Sequence, residues 1–163
     1  MRSAPTPGMA NLKRILVPTD FSAPADEALD YALSLGQQFG AAVTLLHVFE
    51  DPLALSLYSE QYLPMPPEMR DEILDHIRAR LGERVARSGR TDVTSIILTG
   101  PTAPTIAESA REQHADLIVM GTHGRHGVTH LLLGSVAERV VRTAPCPVLT
   151  VRGTGAERGV KAA

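Results

Sequence analysis

The chain has 163 residues, of which 44% are hydrophobic, and this suits one globular domain with a substantial core. A formal net charge of −2 and an aromatic content of 4%, with no Trp, argue against the basic surface and stacked rings of nucleic-acid-binding proteins. The single cysteine excludes an internal disulfide, and no apolar run is long enough for a membrane span. We therefore expect a cytoplasmic protein that binds neither nucleic acid nor membrane.

The two ends of the chain differ in composition from the middle. Residues 1–10 are rich in Ala, Pro and Ser but lack the apolar segment of a secretory signal. Residues 153–163 mix Gly, Ala and charged side chains. We predict a flexible lead-in over residues 1–10, a single domain over residues 11–152 and a flexible tail over residues 153–163.

Short apolar runs alternate with helical patterns along the chain. Ser22 is a suitable N-cap for the first helix, and Gly40 is suited to end it. A proline-rich stretch over residues 50–67 reads as a long loop, and loops of that size are usually functional or mobile. The predicted strands are Arg14–Val17, Ala42–Phe49, Val93–Thr99, Asp116–Met120 and Pro147–Val151. The first predicted helix follows the Ser22 cap, has Pro24 in its first turn and stops at Gly40, and the other predicted helices are residues 68–88, 102–114 and 135–143.

This βαβαβαβαβ order predicts an α/β fold, with a five-stranded parallel sheet and helices on both faces. The strands lack polar alternation, as expected when both faces of a sheet are covered. Ligands of such sheets lie at the carboxyl ends of the strands, where the winding direction reverses. We expect residues 18–20, residues 48–49 and the segment from Gly121 onward to face one crevice.

A glycine-rich segment follows the fourth strand, with the spacing Gly-x2-Gly-x9-Gly-Ser over Gly121, Gly124, Gly134 and Ser135. It matches neither G-x-x-x-x-G-K-[ST] nor G-x-G-x-x-G after the first strand. A glycine loop that opens a helix lets the backbone approach a phosphate, and the helix start offers free N–H groups. This segment therefore indicates a nucleotide site.

Each residue of that segment has an expected role. Gly124 lets the loop close over the phosphates, and Gly134 removes a side chain where the chain touches them. Ser135 and Val136 offer helix-terminal N–H groups, and the hydroxyl of Ser135 is a further donor. The remaining candidates are Thr122, as another donor, and Arg125, which either screens phosphate charge or is simply solvated. The alternative is an ordinary turn with Ser135 as the helix cap.

Asp20 directly follows the first strand and has two interpretations. Asp is a common helix cap, and the next helix begins nearby. Alternatively, its carboxylate accepts hydrogen bonds from a ribose or a base. Its place at the carboxyl edge of the sheet favours a ligand.

Four stretches and a closing motif together resemble the universal stress protein family. They are residues 15–22 (ILVPTDFS), 45–48 (LLHV), 116–124 (DLIVMGTHG), 133–136 (LGSV) and 145–148 (PCPV). The resemblance covers about residues 13–152, and it implies a Rossmann-like fold similar to that of the adenine nucleotide alpha hydrolases. The glycine spacing resembles that of the family's ATP-binding branch.

The resemblance also implies a distribution of roles around an ATP molecule. Pro18, Thr19 and Asp20 would line the adenosine, and the backbone of Val48 would contact the adenine. The residues implied for the ribose and phosphates are Gly121, Gly124, Gly134, Ser135 and Val136. Magnesium is implied only as a partner of the triphosphate.

The histidines give a weaker indication of a ligand. His123, His126 and His130 cluster in the glycine loop, but no cysteine or carboxylate set completes a zinc site, so we predict no protein-held metal. His47 lies within a strand and reads as a hydrogen-bonded core residue.

The last strand carries the indication of self-association. Cys146 lies between Pro145 and Pro147 and reads as a small apolar filler, and the prolines favour an edge strand. An apolar edge over Pro147–Val151 needs covering, and antiparallel pairing with a second copy would cover it. The resemblance implies the same homodimer.

No Ser-His-Asp pattern or carboxylate pair beside the glycine loop points to catalysis. We therefore predict a dimeric, ATP-binding stress-response regulator that is at most a slow ATPase and acts on an unknown protein partner. Two alternatives stay open: a dimeric interaction module without ATP, and a binder of cyclic AMP or AMP.

Overall fold

The computed structural model describes residues 12–50, 65–122 and 134–153. Strands and helices alternate throughout these residues, as predicted. The strands are β1 (Arg14–Pro18), β2 (Ala42–Phe49), β3 (Val93–Thr99), β4 (Leu117–Gly121) and β5 (Val148–Val151). The helices are α1 (Ala23–Phe39), α2 (Pro67–Ser88), α3 (Thr102–Glu112) and α4 (Ser135–Thr143).

Where the predicted boundaries differ from the observed ones, they do so by one or two residues. Helix α2 begins at Pro67 rather than Glu68, because the fixed φ of proline suits the first helical position. Helix α3 ends at Glu112 rather than His114, which adopts a left-handed φ of 50°. Strand β4 begins at Leu117 rather than Asp116, whose carboxylate accepts hydrogen bonds from the amides of Lys13 and Arg14.

The five strands form one parallel sheet in the order β3-β2-β1-β4-β5. This confirms the predicted fold class and places β5 at an edge, as its prolines indicated. Strand β1 pairs with β2 from Arg14↔Ala42 to Pro18↔Leu46. Its registered pairs with β4 are Ile15↔Leu117 and Leu16↔Ile118.

Two helical layers enclose the sheet because alternate residues of each buried strand point to opposite faces. Val17 and Leu45 pack towards α1 and α2, and Leu16 and Leu46 pack towards α3 and α4. The helices contribute Leu29, Ile77 and Leu81 to the first core, and Ile106, Ala137 and Val140 to the second.

Local capping fixes the direction in which α1 leaves the sheet. The hydroxyl of Ser22 accepts a hydrogen bond from the amide of Ala25 at 3.4 Å, and Gly40 ends the helix with a φ of 67°. Both features match the sequence prediction. The Ser22 cap sets the first turn of α1 shortly after the carboxyl end of β1.

A network of hydrogen bonds centred on Arg90 lies at the opposite, amino edge of the sheet. The guanidinium of Arg90 donates to both carboxylate oxygens of Asp92 at 2.8 and 2.6 Å, and to the carbonyls of Leu33 and Ala41 at 3.0 and 3.1 Å. The Arg90 hydrogen bond lowers the pKa of the Asp92 carboxyl. This network joins the C-terminal half of α1 to the start of β3.

Cys146 lies just before β5 and packs against the core beneath α3 and α4. Partial burial, with a smaller effect of the charge on Asp116, raises the pKa of its thiol. These features support the predicted role of a small apolar filler.

Candidate functional site

The reversal of winding direction lies between β1 and β4. The chain moves from β1 outward to β2 and β3, then returns to β4 on the other side of β1. Registered pairing of these two strands ends at Leu16↔Ile118, whereas β1 pairs with β2 as far as Pro18. The carboxyl ends of β1 and β4 therefore border a crevice at the position where ligands of such sheets bind.

The β1 side of this crevice is a tight turn after Pro18. Thr19 is buried, its amide donates to the carbonyl of Leu46 at 2.8 Å, and its hydroxyl accepts from the amide of Phe21 at 3.0 Å. Asp20 is half-buried and accepts from the amide of Ser22 at 3.0 Å. Because Ser22 is the cap of α1, the interpretation of Asp20 as that cap is wrong.

Phe21 is a site residue that sequence reasoning missed. It adopts a φ of 66°, a conformation that costs energy for any residue with a side chain. Its ring is buried and stacks on His47 with 4.6 Å between centroids, and the guanidinium carbon of Arg80 lies 4.2 Å from the ring centre. Nothing in the local sequence indicates a left-handed phenylalanine.

His47 joins β2 to this turn. Its Nδ1 lies 2.8 Å from the carbonyl oxygen of Thr19, and since a carbonyl only accepts, Nδ1 carries the proton. The side chain is half-buried and hydrogen-bonded, in agreement with the prediction of a hydrogen-bonded residue. It also stacks on Phe21, a contact that the sequence did not reveal.

The β2 side of the carboxyl edge presents Val48 and Glu50. Val48 is half-buried near the end of β2, next to β1 in the sheet. The carboxylate of Glu50 accepts hydrogen bonds from the amide and the hydroxyl of Thr102, at 3.0 and 2.5 Å. Glu50 therefore provides an acceptor for the first amide of α3. Sequence reasoning missed this role because Glu50 and Thr102 are far apart in the chain.

On the β4 side, Gly121 faces the first turn of α1. A Cβ added at Gly121 would lie 3.0 Å from the backbone carbon and oxygen of Pro24. The glycine thus has a packing reason in addition to the predicted approach to a ligand. Any larger side chain would push α1 away from the crevice.

Thr122 connects the end of β4 to the start of α4. It is buried, its amide donates to the carbonyl of Val151 at 3.0 Å, and its carbonyl accepts from the amide of Gly134 at 2.7 Å. Gly134 is the N-cap of α4 and makes no side-chain capping bond. Ser135 is the first helical residue, so the interpretation of Ser135 as the cap is wrong.

The N-terminus of α4 is therefore held beside the carboxyl end of β4. Ser135 and Val136 occupy its first two positions and are exposed. Amides at these positions have no carbonyl one turn earlier to bond, and they carry the positive end of the helix dipole. Such amides can bind an anion such as a phosphate.

Gly124, Arg125, His123, His126 and His130 lie outside the described residues. Within residues 12–50, 65–122 and 134–153, no group of three or more His, Cys, Asp or Glu side chains could hold a metal ion. Over the same ranges, no helix combines the length and the apolar character that crossing a membrane requires.

The family model described as "Universal stress protein family" matches residues 11–152 of the chain. The chain belongs to the universal stress protein family. A universal stress protein of Thermus aquaticus is 37% identical over 140 residues, which cover 86% of this chain and 98% of that protein.

Solved structures of the family share this fold. A universal stress protein from Lactobacillus plantarum has a TM-score of 0.72 at 29% identity, with 86% of this chain and 98% of that chain covered. A universal stress protein in complex with cAMP has a TM-score of 0.59 at 26% identity, with 85% and 95% covered.

Proposed function

We propose that this universal stress protein binds ATP in the crevice between β1 and β4, and that it acts as a nucleotide-dependent regulatory dimer. The observation that carries the proposal is the hydrogen bond from the amide of Gly134 to the carbonyl of Thr122. This bond holds the N-terminus of α4 beside the end of β4, next to the predicted ligand crevice. The amides of the first turn of α4 could then bind a phosphate in that crevice.

The proposed ligand spans the two sides of this crevice. On the β4 side, Gly121, Gly134 and the amides of Ser135 and Val136 would hold ribose and phosphates. On the β1 side, Asp20 would accept hydrogen bonds from the ribose or the base. Pro18, Thr19 and Val48 complete the adenosine side, and Thr122, Gly124 and Arg125 remain proposed phosphate contacts.

Cyclic AMP is the second candidate ligand, because a related structure of similar fold contains it. Cyclic AMP and ATP share the adenosine, so the β1 side of the crevice suits either. They differ in phosphate charge and length. The helix N-terminus suits both, and the number of phosphates must be measured.

Magnesium would accompany ATP through the phosphate oxygens, because the described residues offer no cluster of three metal-binding side chains. Efficient phosphoryl transfer needs a positioned base or an arginine and metal clamp. The described turn residues at the crevice are engaged in structural hydrogen bonds. We therefore propose that hydrolysis is at most slow and that binding carries the function.

Calorimetric titration with ATP–Mg²⁺, cyclic AMP, AMP and GTP tests this function. We expect adenine nucleotides to bind and GTP to bind much more weakly. Preference for ATP supports the first proposal, and preference for cyclic AMP replaces it with the second. If no nucleotide binds while the protein is folded, the chain is an interaction module.

The proposed homodimer uses the open edge of β5. The carbonyls of Pro147 and Val151 accept from Ile118 and Thr122 of the β4 segment, both at 3.0 Å. Because alternate residues bond the same neighbouring strand, the backbone groups of Val148 and Thr150 face outward. These outward groups can pair with a second copy.

A proline substitution at each edge tests the dimer. Thr150→Pro removes an outward amide of β5, and we expect it to give monomers by light scattering. Ser95→Pro is the matched control at the other edge of the sheet. Asp92 and Gly100 bond to β2 through their backbone groups, so the backbone groups of the odd-numbered residues of β3, Ser95 among them, face away from β2. A wild-type monomer, or a dimer that survives Thr150→Pro, contradicts the β5 interface.

ATP binding would act as a switch by changing the backbone protection of residues 122–133 and 51–67. Hydrogen exchange with and without ATP measures this directly. We expect stronger protection of both segments when ATP is bound. Equal protection in the two states would contradict the switch and leave binding itself intact.

A further inference from the structure

We propose that Phe21 is a positioning residue for nucleotide binding: its clamped ring holds the left-handed turn that presents Asp20 to the crevice. This inference rests on the proposed nucleotide site and adds to it a residue that makes no contact of its own with the ligand. It also brings His47 and Arg80 into the function of the site.

The backbone of this turn adopts its conformation at a cost. Phe21 has a φ of 66°, where the Cβ of an L-residue crowds its own backbone. Residues held in such conformations cluster at ligand sites and persist only when their surroundings enforce them. The position of Phe21 directly after Asp20 meets that description.

Side-chain contacts enforce the turn. The ring of Phe21 is 8% exposed and stacks on His47 at 4.6 Å with an interplanar angle of 25°. Guanidinium carbons of Arg80 and Arg84 lie 4.2 and 5.0 Å from the ring centre. Stacking and cation–π contacts of this kind are attractive and depend on an aromatic ring.

Two of the residues that contact the ring, Arg84 and His47, are themselves held by hydrogen bonds. Arg84 donates from Nε and Nη2 to the carboxylate of Asp26 at 2.6 and 2.9 Å. His47 is bonded to the carbonyl of Thr19, within the same turn. The turn is therefore tied to β2 through His47, and to α1 and α2 through Asp26 and Arg84.

Asp20 gains its orientation from this arrangement. Its Oδ1 accepts from the amide of Ser22, and the hydroxyl of Thr19 accepts from the amide of Phe21. Both bonds require the peptide planes on either side of Phe21 to keep their directions. If Phe21 relaxed to a negative φ, these amides would turn away and Asp20 would lose its place at the crevice.

The test compares ATP–Mg²⁺ affinity by calorimetry for Phe21→Leu and Phe21→Gly. Leucine keeps apolar bulk but loses the ring contacts and still resists a positive φ. We expect it to bind about tenfold more weakly, because the relaxed turn would bind nucleotide without the contact from Asp20. Glycine adopts a positive φ freely, so we expect its loss to be smaller, about threefold.

A larger loss of affinity with leucine than with glycine would distinguish a positioning role of Phe21 from simple filling of the core. A residue that only fills the core would give its largest loss with glycine, the smaller side chain. Ile106→Ala is the control, because it truncates a buried residue in the opposite helical layer. We expect it to lower the melting temperature without changing nucleotide affinity.

A double substitution tests whether Phe21 acts through Asp20. When Phe21→Leu is present, we expect Asp20→Asn to add less than a twofold further loss, because the carboxylate is already misplaced. Losses that multiply, or a Phe21→Leu variant that binds as the wild type does, overturn the inference and leave the nucleotide site standing. A folded wild type that binds no nucleotide overturns both.

Discussion

The two ends of the same sheet use polar groups differently. At the amino edge, Arg90 donates to Asp92, Leu33 and Ala41, and Asp116 binds the amides of Lys13 and Arg14. Those bonds join elements that are distant in sequence. At the carboxyl edge, Phe21 is strained and the first amides of α4 have no helical partner.

Polar content alone therefore does not mark a site. The amino edge is rich in charged groups, but these groups satisfy one another and the backbone. The carboxyl edge keeps open donors and a strained turn, which cost stability and suit a ligand. Substitutions at the amino edge should change stability without changing nucleotide affinity, and substitution of Gly134 or Asp20 at the carboxyl edge should change nucleotide affinity.

The largest expected effect is that of Gly134→Lys. A side chain at the cap of α4 would occupy the space where a phosphate meets the amides of Ser135 and Val136. We expect a loss of nucleotide affinity of at least about 100-fold, equivalent to ~2.7 kcal/mol. Calorimetry measures the affinity, and light scattering should show an unchanged oligomeric state.

Gly82→Lys is the matched control, because a Cβ at Gly82 meets no heavy atom within 4 Å. It introduces the same charge on α2 and should leave affinity unchanged. Nucleotide affinity that survives Gly134→Lys would show that the phosphate assignment is wrong.

Arg90→Met should give the largest stability effect at the amino edge. The substitution leaves the carbonyls of Leu33 and Ala41 and the carboxylate of Asp92 without their donor. We expect a loss of about 2 kcal/mol in the free energy of unfolding, from chemical denaturation. Nucleotide affinity should be unchanged, and a matching loss of affinity would contradict the separation of the two edges.

A matched pair of aspartates, one at each edge of the sheet, tests the same separation of binding from stability with smaller expected changes. Asp20→Asn keeps an oxygen for the amide of Ser22 but removes one ligand acceptor and the charge, so we expect affinity to fall about fivefold. Asp92→Asn at the amino edge should leave affinity unchanged and lower stability. The prediction fails if the two variants exchange these phenotypes.

The smallest effect is a pH dependence confined to the amino edge. The hydrogen bond from Arg90 lowers the pKa of Asp92 from its ordinary value of 3.8. A lowered folded-state pKa contributes stability at neutral pH that is lost as pH falls through it. The difference in melting temperature between wild type and Asp92→Asn should therefore shrink below pH ~4, and parallel curves would contradict this.

Sequence periodicity was sufficient for the fold because each element obeys local rules. Continuous apolar strands, the Ser22 cap and the Gly40 stop all depend on neighbouring residues, and the structure confirms them. The prolines around Cys146 correctly indicated an edge strand. Small errors fall at Pro67 and His114, where the φ angle of one residue bears on the boundary, and at Asp116, whose side chain bonds the backbone of Lys13 and Arg14.

The site was predictable only in part. The spacing of Gly121, Gly134 and Ser135 indicated a helix start after a strand, and the structure brings these residues together. The ring of Phe21 contacts His47 from β2 and Arg80 from α2, and the bond from Thr102 to Glu50 joins the start of α3 to the residue after β2. Such contacts depend on tertiary packing, which no local pattern encodes.

The most direct test of the nucleotide site is a crystal structure of the protein grown with ATP and Mg²⁺. We expect phosphate oxygens within hydrogen-bond distance of the amides of Ser135 and Val136, with Asp20 facing the ribose or base. A well-ordered, folded protein whose crevice between β1 and β4 holds only solvent, or whose nucleotide lies elsewhere, would contradict it.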